Sequence, residues 1–431
     1  MNKNKLIVVL IWIGCIGLLF CSLLYLIKYI TFDNSQPVQT SFSDEDSLKQ
    51  LRSLGYVTWT AIDEEEAKKR GVTRYDPEAA CKGMNLYYSI NKEGGYFFDM
   101  SGDILHTFTD KRAIKRKIKW RLVEPYQNNE FLVLEENAEI FRIDWDSNVK
   151  AKITGPYHHD ITLADDGSIY ALMHAKMDVP EFSTTEPILN EWLVHITTDG
   201  VVDRKISFVK MFSENQELFA YAKIPNLNPD TKMRIEDFCP DAWDIFHTNS
   251  IEIIDRDIFS GGQKLFGKGD ILFCNRNQNL IGVIDVKTEK IIWHWGINEL
   301  DFPHNPSMLE NGNILIFDNG YHRKYSRIIE FNPVSREIEW EYKAEPPPSF
   351  RSVEMGSVQR LDNGNTLITE SERGRVFEIT RDGNIVWEFY NPEIKETFNS
   401  RLGTAEKKRA SIYRMMRFSE PQKHPFLNNL K

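Results

Sequence analysis

Histidine is scarce in this chain, ten in 431 residues, yet two stand together in "YHHDITLADDGSIYAL" (157–172). Counted from the turn glycines, His159 lies eight residues before Gly167 and His304 eight before Gly312, while His247 opens "HTNSIEII" ahead of an enlarged turn. Seven residues after the corresponding glycines come His174, Arg276 and Asn319. A neutral imidazole is a nucleophile or proton acceptor, and a charged one is a donor. Several imidazoles gathered with a guanidinium make an anion site. Each residue alone has an ordinary explanation: a strand-start histidine bonds a loop, and a lone Arg is solvated. Three histidines in matched register beside Arg276 point instead to a functional site.

The elements that must gather them are repeated. "MLENGNILIFDNGYHRKYSRIIEFNPVSREIEWEY" (308–342) has a near copy in "RLDNGNTLITESERGRVFEITRDGNIVWEF" (360–389), and a third in "GKGDILFCNRNQNLIGVIDVKTEKIIWHW" (267–295). Looser copies cover 157–208, 119–153 and 84–108. The two near copies each hold four strands, with an Asn-Gly turn and a last strand ending in Trp-Glu-aromatic. The repeat predicts an all-β chain: a six-bladed β-propeller over 81–398. The innermost strand of each blade lines the channel and the second strand returns antiparallel, so the histidines and Arg276 should meet at one mouth. Inserts at 176–191, 209–241 and 255–267 should wall a face. The basic tail, 399–431, is expected to be helical and to pack on the propeller.

The N-terminus differs. "LIVVLIWIGCIGLLFCSLLYLI" (6–27) is an apolar run long enough to span a bilayer, with Lys3 and Lys5 before it. Residues 1–30 are therefore expected to be a transmembrane signal-anchor and 31–80 a tether with a short helix near 46–56. The body should be exported, periplasmic or extracytoplasmic. Cys15 and Cys21 fall in the span, and Cys81–Cys239 is the pair to test for a disulfide. A net charge of −10 argues against a nucleic-acid partner.

The stretches "GVTRYDPEAACKGMNLYYS" (71–89), "YHHDITLADDGSIYAL", "DIFHTNSIEII" (244–254), "DILFCNRNQNLIGVID" (270–285) and "FPHNPSMLENGNILIFDNG" (302–320) resemble the bacterial arylsulfate sulfotransferases, six-bladed propeller enzymes of the periplasm. The resemblance implies transfer of a sulfuryl group from an aryl sulfate donor to a phenolic acceptor, without nucleotide, metal or other cofactor. It implies His304 as the nucleophile, with His247, His159 and Arg276 catalytic. Asn249 and His158 accompany them, His159 being preferred to His158 for the site, and the count from the turn glycines adds His174 and Asn319 to the substrate-binding set. Two departures stand out. The N-terminal β-sandwich of some members is replaced by the span and tether, which leaves a homo-oligomer or a membrane partner open. Asn277 stands where His is expected.

The implied chemistry is a loose, SO3-like transition state, in which catalysis is positioning plus fixed positive charge. A neutral His304 attacks sulfur, and turnover falls as it protonates. A rate flat from about pH 5 to 8 would count against a histidine nucleophile. Two other readings fit the same residues. Three histidines suit a metal, and Trp-ending blades also occur in quinone enzymes; Arg276 opposes the first, and the lack of an adjacent Cys pair the second. A catalytically silent, membrane-tethered scaffold or ligand-binding propeller is the other alternative.

Overall fold

The computed structural model describes residues 58–89, 94–109, 120–184, 186–222, 242–399, 404–419 and 424–429. The recurring unit is set by its first hairpin. In three copies one residue's N–H bonds the carbonyl four residues on, and the glycine N–H bonds back: Ala164 with Ser168 and Gly167 (2.9 and 3.0 Å), Leu309 with Asn313 and Gly312 (2.8 and 2.9 Å), Leu361 with Asn365 and Gly364 (2.9 and 2.8 Å). Ile254 makes the same pair with Asp270 and Gly269, both 2.9 Å, although a small hairpin (Ile258–Ser260 with Gln263–Phe266) is spliced into the turn. The closing glycines have φ of +85° to +91°, a left-handed backbone that a side chain would strain.

Among the described residues, six antiparallel sheets of four or five strands result. Their inner strands are β1 (Trp120–Pro125), β2 (Tyr157–Leu163), β3 (Thr248–Ile253), β4 (Pro303–Met308), β5 (Ser357–Arg360) and β6 (Ile412–Phe418). Each contacts the next, and β6 returns to β1, giving an all-β, propeller-like ring. Apolar faces of neighbouring sheets fill the space between them. The repeated Trp works there: Trp295 stacks on Phe331 of the next sheet at 3.8 Å, and the Trp387 indole donates to the Met100 carbonyl at 2.9 Å.

The tail corrects the sequence reading. Thr404–Ala410 and Ile412–Phe418 are strands, and only Pro425–Asn429 forms a short 3₁₀ turn. "TAEKKRA" and "RMMR" are good helix formers, but β6 pairs along the open edge of Met84–Ser89, and that pairing prevails. The last segment thus supplies the inner strand of the first sheet. The seam is fastened by Arg417, whose fully buried guanidinium pairs with buried Glu378 and donates to Asn85 Oδ1 (2.8 Å) and the Cys81 carbonyl (3.1 Å). Within the approach segment, Gly71–Tyr75 adds an outer strand beside Ile385–Tyr390, and Trp59–Ile62 pairs with Thr404–Ala410. The expected span (6–27), the 46–56 helix and Cys239 lie outside the described residues. Among those described, no helix is long and apolar enough to cross a membrane, and Cys81 is a buried free thiol.

Arg417→Ala would leave Glu378 a buried charge without its partner. Denaturant unfolding is expected to show a loss of about 3–5 kcal/mol; a change within about 0.5 kcal/mol, the range of surface substitutions, would show that the seam is held otherwise.

Candidate active site

The histidines arrive by bulges rather than by one shared ladder position. In β2, His158 pairs with Leu172 and Ile161 with Ala171, so His159 and Asp160 are extra. In β3, Thr248 pairs with Asn275 and Ser250 with Cys274, leaving Asn249 extra. In β4 the register shifts between His304, opposite Phe317, and Ser307, opposite Leu315. Five residues after each glycine the partners are therefore His158, Ser250 and His304. This corrects the matched register read from the sequence: the count is equal for His159 and His304, but bulges of different size re-aim the rings. His159, His247 and Asn305 carry φ of 57°, 49° and 45°, a left-handed backbone uncommon for such residues and typical of functional sites.

The rings nonetheless come together. His159 meets His247 edge-on with centroids 4.8 Å apart, and His158 stacks on His174 at 4.4 Å. His158 and His159 face each other through their Nδ1 atoms at 2.7 Å, so one donates and the other accepts. His159 is thus the ring against His247, with His158 and His174 behind it. Arg276 sits across the hairpin, its N–H on the His247 carbonyl at 3.1 Å and its guanidinium 5.3 Å from the Phe302 ring centre. Two short helices, α1 (Phe208–Glu214) and α2 (Gln216–Ala222), bury Phe212 against Phe246, the residue before His247. The 209–241 insert thereby braces the site wall through its described part.

His304 is held by its Nδ1, 2.8 Å from Asn319 Oδ1 and 3.1 Å from the Phe302 carbonyl. The Asn319 amide donates both N–H groups, to the Ser352 and Met355 carbonyls at 2.8 Å each. Its oxygen must therefore face His304, which makes His304 Nδ1 the donor and leaves Nε2 a lone pair. Burial, and then the charge of Arg276, push the His304 pKa down to about 3. Burial lowers His159 and His158 well below the ordinary imidazole value, with neighbouring imidazoles adding, and brings His174 to about 4. His247 is lowered by burial and Arg276, against the pull of Asp244.

Asn249 donates to the Pro303 carbonyl at 2.9 Å, next to His304, so it ties β3 to β4. Sequence reasoning missed Asp244, although it sits inside the "DIFHTNS" motif. Its carboxylate pairs with His247 Nδ1 and accepts the His247 backbone N–H at 3.1 Å. The His247 Nε2 is buried with no hydrogen-bond partner among the described residues. Glu191 was missed as well. It accepts the Thr248 N–H at 2.9 Å, and burial followed by the nearby Asp244 charge raises its pKa well above the carboxylate range. No three His, Cys, Asp or Glu among the described residues converge as metal ligands. Further along β2 and β3, a cavity of about 190 Å³ is lined by Glu124, Asp160, Glu252 and Arg414.

No curated protein matches the chain. Among solved structures, a Bacteroides caccae protein of unknown function is 13% identical, covering 79% of this chain and 100% of its own, with a TM-score of 0.48. A catalytically inactive variant of virginiamycin B lyase from Staphylococcus aureus, solved with quinupristin, is 14% identical over 81% and 98%, at 0.41. The WD40 β-propeller domain of Doa1 is 10% identical over 73% and 76%, at 0.38. The arylsulfotransferase (ASST) family model matches residues 133–392, more than half of the chain and the span that holds His158, His159, His174, His247, Arg276 and His304. The chain belongs to the arylsulfotransferase family.

Proposed function

We propose that this chain is a six-bladed propeller enzyme that carries a sulfuryl group from an aryl sulfate to a phenolic acceptor through a sulfohistidine on His304. Family membership supports arylsulfotransferase-type activity. The observation that carries the finer reading is the Asn319 amide, which pins the proton of His304 to Nδ1 and bares Nε2. The Nε2 lone pair attacks sulfur in line, the sulfur–oxygen bond to the aryl group breaks, and its electrons leave with the phenoxide. In the second half an acceptor phenol attacks the same sulfur, releases its proton, and the nitrogen–sulfur bond breaks to restore His304. The proton taken up by the first aryl oxide equals the one released by the second, so the cycle is neutral. Arg276 and His159 face the outer oxygens of the transferring group, where fixed donors stabilise developing charge, whereas His247, with its Nδ1–H given to Asp244, donates there from Nε2 only as the imidazolium. The apolar run at 6–27 supports an anchored, exported body.

Incubation with 4-nitrophenyl sulfate should add the mass of one sulfuryl group to the peptide holding His304. His304→Ala should lose both the label and turnover, by a factor on the order of 10⁴ or more. A wild-type protein that never acquires the label would be a silent propeller. Arg276→Gln should cut kcat/KM about 10²–10³-fold.

The structure revises the pH expectation. A nucleophile whose pKa is lowered to about 3 stays neutral across the range in which a free imidazole, near 6.5, would protonate. Turnover should therefore hold from about pH 8 to 5, with the acid limb below about pH 4. Removing the like charge in Arg276→Gln makes protonation of His304 easier and should move that limb upward. A wild-type limb centred near 6.5 would refute the neutral, buried nucleophile.

A further inference from the structure

The turn after the second strand of the β3 sheet is fastened residue by residue to the segment that leads into His247. Arg276 N–H bonds the His247 carbonyl (3.1 Å), Asn277 N–H the Phe246 carbonyl (3.2 Å), and the Gln278 side-chain amide the Ile245 carbonyl. Within it, the Asn277 side chain makes a bridge. Its Nδ2 donates to the Asp244 carbonyl at 2.6 Å, and its Oδ1 accepts from Arg276 Nε at 3.1 Å. Asn277 is 3% exposed, Asp244 2% and Arg276 not at all. The other flank is held too: Asn279 Oδ1 accepts the Phe302 N–H at 2.8 Å, placing that ring against the guanidinium.

We infer that Asn277 is a positioning residue that fixes the guanidinium of Arg276 at the sulfuryl site by bridging Arg276 Nε to the Asp244 carbonyl. The inference rests on the proposed anion-binding role of Arg276. An Arg has several rotatable bonds and presents its fork usefully only when its plane is fixed. Binding Nε by an oxygen sets that plane and with it the direction in which the terminal nitrogens point. The amide cannot be reversed without setting its N–H groups against Arg276 Nε–H and its oxygen against a carbonyl, so the bridge has one sense. Asp244 serves both ends: its carboxylate orients His247, and its carbonyl orients Arg276 through Asn277. The imidazole and the guanidinium are set from one residue.

The test separates positioning from folding. In a His304→Ala background, where no transfer follows, the Kd for 4-nitrophenyl sulfate is measured calorimetrically. Asn277→Ala should weaken it about tenfold when Arg276 is present and leave it unchanged when Arg276 is already Ala, the non-additivity expected of a residue that acts through another. In the otherwise native chain the rate of His304 labelling should fall about 10–100-fold. Asn277→Asp, which keeps an oxygen for Nε but gives up the donor to Asp244, should fall between native and Ala, and it decides the question if the Ala protein does not fold. Equal weakening with and without Arg276, or native binding and labelling in both Asn277 variants, overturns the inference while the sulfuryl-transfer reading stands. Failure of the native chain to label, together with failure of the His304→Ala protein to bind, overturns the transfer reading and the inference with it.

Discussion

The site depends on a guanidinium that is cut off from water among imidazoles. A buried charge is costly unless it is paired and hydrogen-bonded. Arg276 meets that requirement through Asn277 and the nearby Asp244 carboxylate, whose pKa burial would raise but His247 and Arg276 together bring below the usual value. Burial acts on the neighbours of Arg276 first and this charge second: both hold His247 and His304 toward the neutral form, while for His159 burial and the adjacent imidazoles outweigh it. In the proposed transfer, the bare nucleophile and the fixed positive group for the anion both follow from burying that guanidinium beside the histidines.

Holding these groups at contact distance falls to the backbone. No regular strand would deliver rings from β2, β3 and β4 to one point, because side chains alternate with a strict period of two. Extra residues at His159, Asp160 and Asn249 break that period locally, and the backbone is left-handed at His159, His247 and Asn305. Strain of this kind persists only where the surroundings over-determine it. Here they do: Asn249 holds Pro303, Asn319 holds His304, and α1 braces Phe246.

Much of this was legible in the sequence, and the reasons are specific. The repeat could be read because four units close their first hairpin on a left-handed glycine and aromatic side chains fill wedges between sheets, and Gly167, Gly269, Gly312, Gly364, Trp295 and Trp387 mark those places. His159, His247, His304 and Arg276 could be gathered because residue counts from those glycines follow the hairpins. The counts fail where the ladder slips, so the exact register did not emerge. The role of residues 412–418 was hidden because local propensity favours a helix and only the distant edge of Met84–Ser89 favours a strand. Glu191 was invisible for a related reason: in "ILNEWLVHI" nothing separates it from a surface carboxylate until a neighbouring sheet covers it.

Closure by the final strand has a consequence for biogenesis. A chain emerging from its amino end forms Met84–Ser89 early, but that strand must wait, one flank unsatisfied, until nearly the whole polypeptide has been made. An unpaired flank invites adhesion to other chains. Nascent copies therefore pass through a vulnerable interval set by the time needed to synthesise everything between the two halves of the clasp, and factors that shield open sheets would matter most then.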